Sequence, residues 1–357
     1  MDPRRPTSAD VAALAGVSRA TVSFVLNERA DVKISSATRL RVIEAANELG
    51  YHPHAPARQL AGGSSLTLGL VLLQTPEQVA GDALLAETLR GLSSAARTAG
   101  YRVLVESIVP GDGGYADILR TRRAEGLVIS GPRSDDATLE ALAGERFPIV
   151  LQGSLPGFAV PSVDVDNVAG ARQAVEHLLG LGHRRIGCVT NAPLAYTAAK
   201  DRLDGYRQAL EAAGIGFDEG LVTEGEFDAP SGHRAMTRLL GSNHMTAVFV
   251  ASDVVALGAI GALREAGLRV PEDVSVVGFD DIPLAAYVDP PLTTVRIPAF
   301  ELGLAAGQAL LDRVARLPVA DRTLLPIELV VRASTAPLTR ATEEGAASLR
   351  PGRRSEA

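Results

Sequence analysis

Chemistry-capable residues gather near the N-terminus, where Ser18, Arg19, Ala20, Thr21, Ser23, Phe24 and Asn27 fall within one short stretch. Such a set binds rather than catalyses. A guanidinium at a helix start can grip a guanine edge with two hydrogen bonds, and an alanine can meet a thymine methyl. Hydroxyls and an asparagine amide suit phosphate oxygens, which fix position without reading sequence. Phe24 has two readings from spacing alone, a core side chain or a base-facing one. Elsewhere, Gly111-Asp112-Gly113-Gly114 is too irregular for a dinucleotide fingerprint, and there is no nucleophile elbow or P-loop. Asp280 and Asp281 could flank a substrate, but a binding cleft needs such carboxylates equally. The histidines at 52, 54, 177, 183, 233 and 244 lack zinc-site spacing. No metal, no cofactor and no enzymatic activity are expected. The single cysteine, Cys188, lies in an apolar run from Arg185 to Thr190 and reads as a core thiol.

The elements that would position the N-terminal set are short helices. Thr7 can cap a helix, with Asp10 as its capping-box partner. That helix stops at Gly16, Ser18 caps again, and a second helix runs from Arg19 to about Leu26. Ala12 lets two helices cross closely, with Val11, Ala15, Val17, Val22 and Val25 as the core between them. This spacing is the helix-turn-helix pattern. A third helix, Ser36 to about Leu49, is expected to bury Leu40, Ile43 and Leu49 and to end at Gly50. Pro56 could open a further short helix closed by Gly62. Too short to be stable alone, that segment is either a helix formed on a partner or a flexible linker.

Charge supports this division only mildly. The 357-residue chain carries a net −7, with +2 over residues 1–62 and −9 over the remainder. From Leu66 onward, strand and helix signals alternate. Strands are predicted at Thr67–Leu73, Arg102–Glu106, Gly126–Ser130, Pro148–Leu151, Arg185–Thr190, Ala247–Ala251 and Val274–Phe279. Their apolar runs without alternation suit parallel strands covered on both faces. Helices are predicted at Leu84–Ala99, Ala169–Leu181, Asp201–Ala213 and Asp253–Ala266. Repeated β-α units over about 270 residues imply two doubly wound parallel sheets. No run reaches the roughly 20 apolar residues of a membrane span, and no secretory signal is visible, so a cytoplasmic protein is expected. The polar tail has no leucine heptads that would suggest a tetramerisation helix.

Together these residues resemble the LacI/GalR family of bacterial transcriptional regulators, over about residues 6–334. The resemblance rests on Ala15-Gly16-Val17-Ser18-Arg19-Ala20-Thr21-Val22-Ser23-Phe24-Val25-Leu26-Asn27, Leu49-Gly50-Tyr51-His52-Pro53 and Ala57-Arg58-Gln59-Leu60. It continues through Leu181-Gly182-His183-Arg184-Arg185-Ile186, Arg202-Leu203-Asp204-Gly205-Tyr206, Ser275-Val276-Val277-Gly278-Phe279-Asp280-Asp281 and Pro291-Leu292-Thr293-Thr294-Val295.

The resemblance implies an α helix-turn-helix headpiece at 6–52, a hinge helix or linker at 53–63, and an effector-binding and dimerisation core at 66–334. The core would be an α/β, periplasmic-binding-protein-like pair of lobes. Lobe 1 would span about 66–163 plus 297–325, lobe 2 about 164–296 plus 326–334, and residues 335–357 would be a disordered tail. Leu60 would wedge into the minor groove of a palindromic, double-stranded operator bound by a homodimer. Gln74, Gln152, Arg202, Phe227, Ser252, Asp253 and Asp280 would hold a small-molecule effector, a sugar or sugar-like compound. For Arg202 and Asp280 a purely structural ion pair is the alternative. The implied function is repression; a ligand-responsive activator or dual regulator with a non-sugar effector is the other reading. Three departures stand out: Phe24 at a base-reading position, Gly81-Asp82-Ala83-Leu84 where the family has an aromatic segment, and Gln152-Gly153 where it has an acidic or aspartate-arginine pair.

Overall fold

Thr7 starts the first helix as its spacing to Asp10 demands. Its backbone N–H donates to Asp10 Oδ2 at 2.7 Å, while the Asp10 N–H donates to Thr7 Oγ1 at 3.4 Å. In the computed structural model, residues 6–26, 32–51, 65–109, 112, 114–242 and 244–339 are described. They form two units, one ending at Ser65 and one beginning at Leu66. Asn27, Leu60 and the expected hinge at 53–63 lie outside the described residues, as does the chain beyond Thr339.

Among the described residues, the N-terminal unit holds three helices, α1 (Ser8–Ala15), α2 (Arg19–Leu26) and α3 (Ser36–Glu48). Gly16, at φ +64°, makes the left-handed turn between α1 and α2, a conformation a Cβ would strain. The core is Val11, Ala12, Ala15, Val22, Val25, Val42, Ala45 and Ala46, with Val17 half-buried at its edge. The third helix departs from expectation. It turns Val42, Ala45 and Ala46 inward, while Leu40 and Ile43 are 57% and 41% exposed and Leu49 is only half-buried. Small residues at i, i+3 and i+4 permit close packing against α1 and α2, and the larger pair falls on the neighbouring stripe.

The second unit holds two six-stranded sheets. The first has the order β11-β5-β4-β3-β1-β2, from β1 (Thr67–Leu72), β2 (Arg102–Ser107), β3 (Gly126–Ser130), β4 (Ile149–Gln152), β5 (Ser162–Val165) and β11 (Arg322–Leu325). The second has the order β12-β10-β9-β8-β6-β7, from β6 (Ile186–Val189), β7 (Val222–Thr223), β8 (Ala247–Val250), β9 (Ser275–Asp280), β10 (Thr293–Arg296) and β12 (Glu328–Val330). Every pairing is parallel except β12 with β10. Helices α4 (Pro76–Gly81), α5 (Leu85–Thr98), α6 (Tyr115–Arg120), α7 (Ala137–Gly144) and α12 (Ala299–Val314) follow strands of the first sheet or return to it. Helices α8 (Asn167–Gly180), α9 (Thr197–Ala212), α10 (Ala229–Ser242) and α11 (Asp253–Glu265) cover the second. The chain passes between the sheets three times, after β5, β10 and β11.

All seven predicted strands and four predicted helices are present within a few residues of their expected ends. Two boundaries shift. Strand β5 keeps the first sheet going to Val165, two residues beyond the expected break at 163. Residues 335–339 are not a loose tail. Thr335 Oγ1 meets His177 Nε2 at 3.0 Å, the Ala336 carbonyl lies 3.0 Å from His183 Nε2, and the Leu338 N–H donates to Leu181 O. Ser334, fully buried, extends the binding along β9 by donating to Val276 O at 2.6 Å. Polar composition points to disorder there, but those polar groups find buried or half-buried partners. Among the described residues, no single helix is long and apolar enough to cross a membrane.

Candidate functional site

On α2, Arg19 and Ala20 are exposed, and Thr21, Ser23 and Phe24 are half-buried. Ser18 caps the helix, accepting from the Thr21 N–H at 3.1 Å, with the two hydroxyls 2.9 Å apart. Phe24 is absent from the packed cluster of the described residues, so its spacing yields an outward-leaning side chain rather than a core one. The helix therefore presents one guanidinium, one methyl, hydroxyls and one ring on a face held by Val22 and Val25 beneath.

The second constellation forms where the carboxyl ends of the two sheets face each other, the place where parallel α/β sheets bind ligands. Gln74 follows β1, Gly131 and Pro132 follow β3, and Gln152 ends β4. From the other sheet, Asn191 follows β6, Phe227 lies beyond β7, Ser252 follows β8 and Asp280 ends β9. They line a cavity of about 180 Å³. A single water needs only about 10–15 Å³ by the same measure, so the space suits a small organic molecule.

Arg202 is the centre of its polar wall. The guanidinium lies 3.9 Å over the Phe279 ring and donates to Asn167 Oδ1 at 2.9 Å, Ala251 O at 2.6 Å and Asp280 Oδ1 at 3.2 Å. Burial pushes the Asp280 carboxyl up to about 6, against the opposing pull of Arg202 and a hydrogen bond from Ser252. Asp280 also adopts φ +116° and Phe227 φ +67°, strained values for side-chain-bearing residues that place both groups at the cavity. The pair is thus structural and cavity-lining at once.

Asp253 corrects the expected set. It is fully buried and does not line the cavity. Its carboxylate accepts from the Thr294 hydroxyl at 2.6 Å and the Ile282 N–H at 3.0 Å, which tie α11 to β10 and to the turn after β9. A first-turn residue of α11 points back over Gly278, where any side chain would collide with it. Asp281 likewise turns away, held by Arg296 at 2.7 Å and Arg332 at 2.6 Å. Asp280 and Asp281 therefore do not form a carboxylate pair across a substrate.

Sequence reading missed Asn191, Tyr196, Asp82 and Asp164, all of which line the cavity. Tyr196 supplies an aromatic where the first-strand segment lacks one. Its ring packs edge-on against Phe227 at 4.8 Å, its hydroxyl donates to Leu73 O at 2.6 Å, and Arg133 lies 4.6 Å over it. Because Leu73 and Arg133 belong to the first sheet's connections and Tyr196 to the second's, these contacts bridge the lobes. The available signal was positional: each missed residue lies near a strand's carboxyl end or in the segment after it.

Residues 7–54 match the family described as bacterial regulatory proteins, lacI family, and residues 175–335 match a periplasmic binding protein-like domain. The transcriptional regulator CelR of Thermobifida fusca is 38% identical over 337 residues, covering 92% of this chain and 96% of the relative. The transcriptional repressor CytR of Escherichia coli K12 is 37% identical, covering 93% and 97%. Among solved structures, the lac repressor dimer bound to operator and the anti-inducer ONPF superposes with a TM-score of 0.81 at 33% identity, covering 93% of this chain and all of that one. A complex of CelR with cellobiose gives 0.71 at 36% identity, covering 92% and 100%. This chain belongs to the LacI family: it is a DNA-binding transcriptional regulator and not an enzyme.

Proposed function

We propose that this regulator is a cytoplasmic homodimeric repressor that grips a palindromic operator and is switched by a small polyhydroxylated ligand of the sugar class. The carrying observation is the cavity between the sheet ends, where Gln74 Oε1, Gln152 Oε1 and Asn191 Oδ1 are buried without partners. Unmet acceptors beside an aromatic corner suit a molecule with many hydroxyls, each able to donate. The complex of CelR with cellobiose and the lac repressor dimer bound to operator support the same division of labour. The organisation follows as a headpiece, a hinge over 53–63 and a two-lobed core extended to Thr339.

On DNA, Arg19, Ala20 and Phe24 read bases, while Ser18, Thr21, Ser23 and Asn27 hold phosphates, and Leu60 wedges the minor groove at the dyad. In the cleft, Gln74, Gln152, Arg202, Phe227, Ser252 and Asp280 hold the effector, with Asp253 positioning β10 and the turn after Asp280. Ligand alters lobe closure and, through it, operator affinity; a differential affinity for the two states is all such a switch requires. Removal of residues 1–65 should abolish specific operator shift in a gel while the remainder keeps ligand-induced thermal stabilisation. Specific DNA binding by that fragment would overturn the proposal.

A further inference from the structure

The hydrogen-bonding and charge inventory of the cleft deepens the sugar-class reading, on which it rests, by fixing the ligand's charge. Asn191 is only 8% exposed, and its Oδ1 is unpartnered, like the Oε1 atoms of Gln74 and Gln152. The opposite ends of both glutamines are engaged. Gln152 Nε2 lies 3.5 Å from Thr88 Oγ1, and Gln74 donates to the Asp82 carboxylate. An amide that gives its NH2 to a carboxylate turns its oxygen elsewhere, so these open atoms call for donors.

Three carboxylates, Asp82, Asp164 and Asp280, line the same space. Arg202 is the sole cation among the described lining residues, and its Nε and Nη1 are committed to Asn167, Ala251 and Asp280. Asp82 accepts from the Leu84 and Leu85 N–H groups at 2.9 and 3.2 Å. Asp164 accepts from the Ser154 hydroxyl, the Val165 N–H and Asn167 Nδ2 at 2.9, 2.8 and 3.2 Å. Neither faces a guanidinium at bonding distance. An anion entering here would lose its hydration and meet carboxylate charge across a poorly screened cavity.

We propose that the cleft takes a ligand that donates several hydrogen bonds and carries no negative charge, with Asp82 and Asp164 as the specificity-determining residues that turn away phosphorylated and carboxylated congeners. Hydroxyl or amino groups satisfy Gln74, Gln152 and Asn191, and an apolar sugar or base face meets the Tyr196–Phe227 corner. The guanidinium of Arg202 is held by Asn167, Ala251 and Asp280, so its charge is already balanced before a phosphate could reach it.

The test uses the full-length protein and matched probes: ribose, glucose, cellobiose and cytidine, their amino-bearing analogues, and the corresponding sugar phosphates, uronates and cytidine monophosphate. Thermal shift identifies binders and calorimetry gives their affinities. At least one uncharged or amino probe should bind, with its anionic counterpart weaker by about tenfold or more. The double variant Asp82→Asn, Asp164→Asn should narrow that gap, since asparagine keeps the acceptor oxygen for the same backbone N–H groups. An anionic probe binding as well as its parent, a gap untouched in the variant, or silence from every uncharged and amino probe would each overturn the inference. An anionic probe that binds and shifts operator affinity would sink this inference alone and leave the proposed repressor standing.

Discussion

In the N-terminal unit, the candidate DNA-contacting side chains follow one another along a single short helix, α2, exposed or half-buried above eight small buried residues. In the second unit, the cavity gathers side chains from Gln74 to Asp280, buried or half-buried, delivered by the ends of several strands, the segments after them and, for Arg202, a helix. One site is a local pattern on a marginal core. The other is a product of topology, and its groups are costly to bury unless paired. Mutations should therefore act oppositely: changes on α2 alter binding with little effect on core stability, whereas changes in the cleft alter both.

Arg202→Ala should show the largest effect. It leaves Asp280 buried with Ser252 but without its guanidinium, a loss of about 3–5 kcal/mol from the stability of the second unit. Calorimetric melting should show that unit destabilised; an unchanged melting point would mean that the pair is solvated and the cleft open. Asp280 also gives a pH signature. Its folded carboxyl, pushed up to about 6, binds a proton more tightly than the unfolded one at the ordinary 3.8. Stability from this group is thus present at low pH and falls as pH rises through that window. Asp280→Asn should remove that fall, so the variant gains on wild type from pH 4 to 6; a flat difference would contradict the assignment.

On the other side of the comparison, Arg19→Ala should cost about 1–3 kcal/mol of specific operator binding while leaving core melting untouched. Loss of sequence preference at one symmetric pair of base positions, read by competition with altered duplexes, would locate its contact. Smallest is Thr7→Ala, which removes the cap of α1 and should cost about 1 kcal/mol of headpiece stability by circular dichroism. Any change in ligand affinity from it would break the separation between the two regions.

The same contrast explains what could be read from sequence. The capping box, the Gly16 turn and the α2 face are local, and each was legible from spacing. The central strands were legible because burial on both faces leaves continuous apolar runs. Strands β5, β7, β10, β11 and β12 were missed, for they are short and carry polar residues such as Asp164, Thr223, Thr293 and Arg322. In α3, the interior went to alanines, and hydrophobic size alone pointed to Leu40 and Ile43. Asp253 and Asp280 look alike in sequence; only the backbone decides that one secures β10 and the other faces the cavity. Tyr196 could not be assigned because its value lies in reaching the other lobe's Leu73 carbonyl.

Regulation by this protein requires that a ligand in the cleft change the grip of the helix-turn-helix on DNA. Fluorescence anisotropy of the full-length protein on an operator selected from random duplexes, with and without the tightest uncharged probe, tests this directly. The wild type should change its operator Kd by about fivefold or more on adding ligand. The double variant Gln152→Ala, Asn191→Ala should keep the ligand-free Kd and lose the response. A wild-type Kd indifferent to bound ligand, or a variant that responds like the wild type, would contradict it.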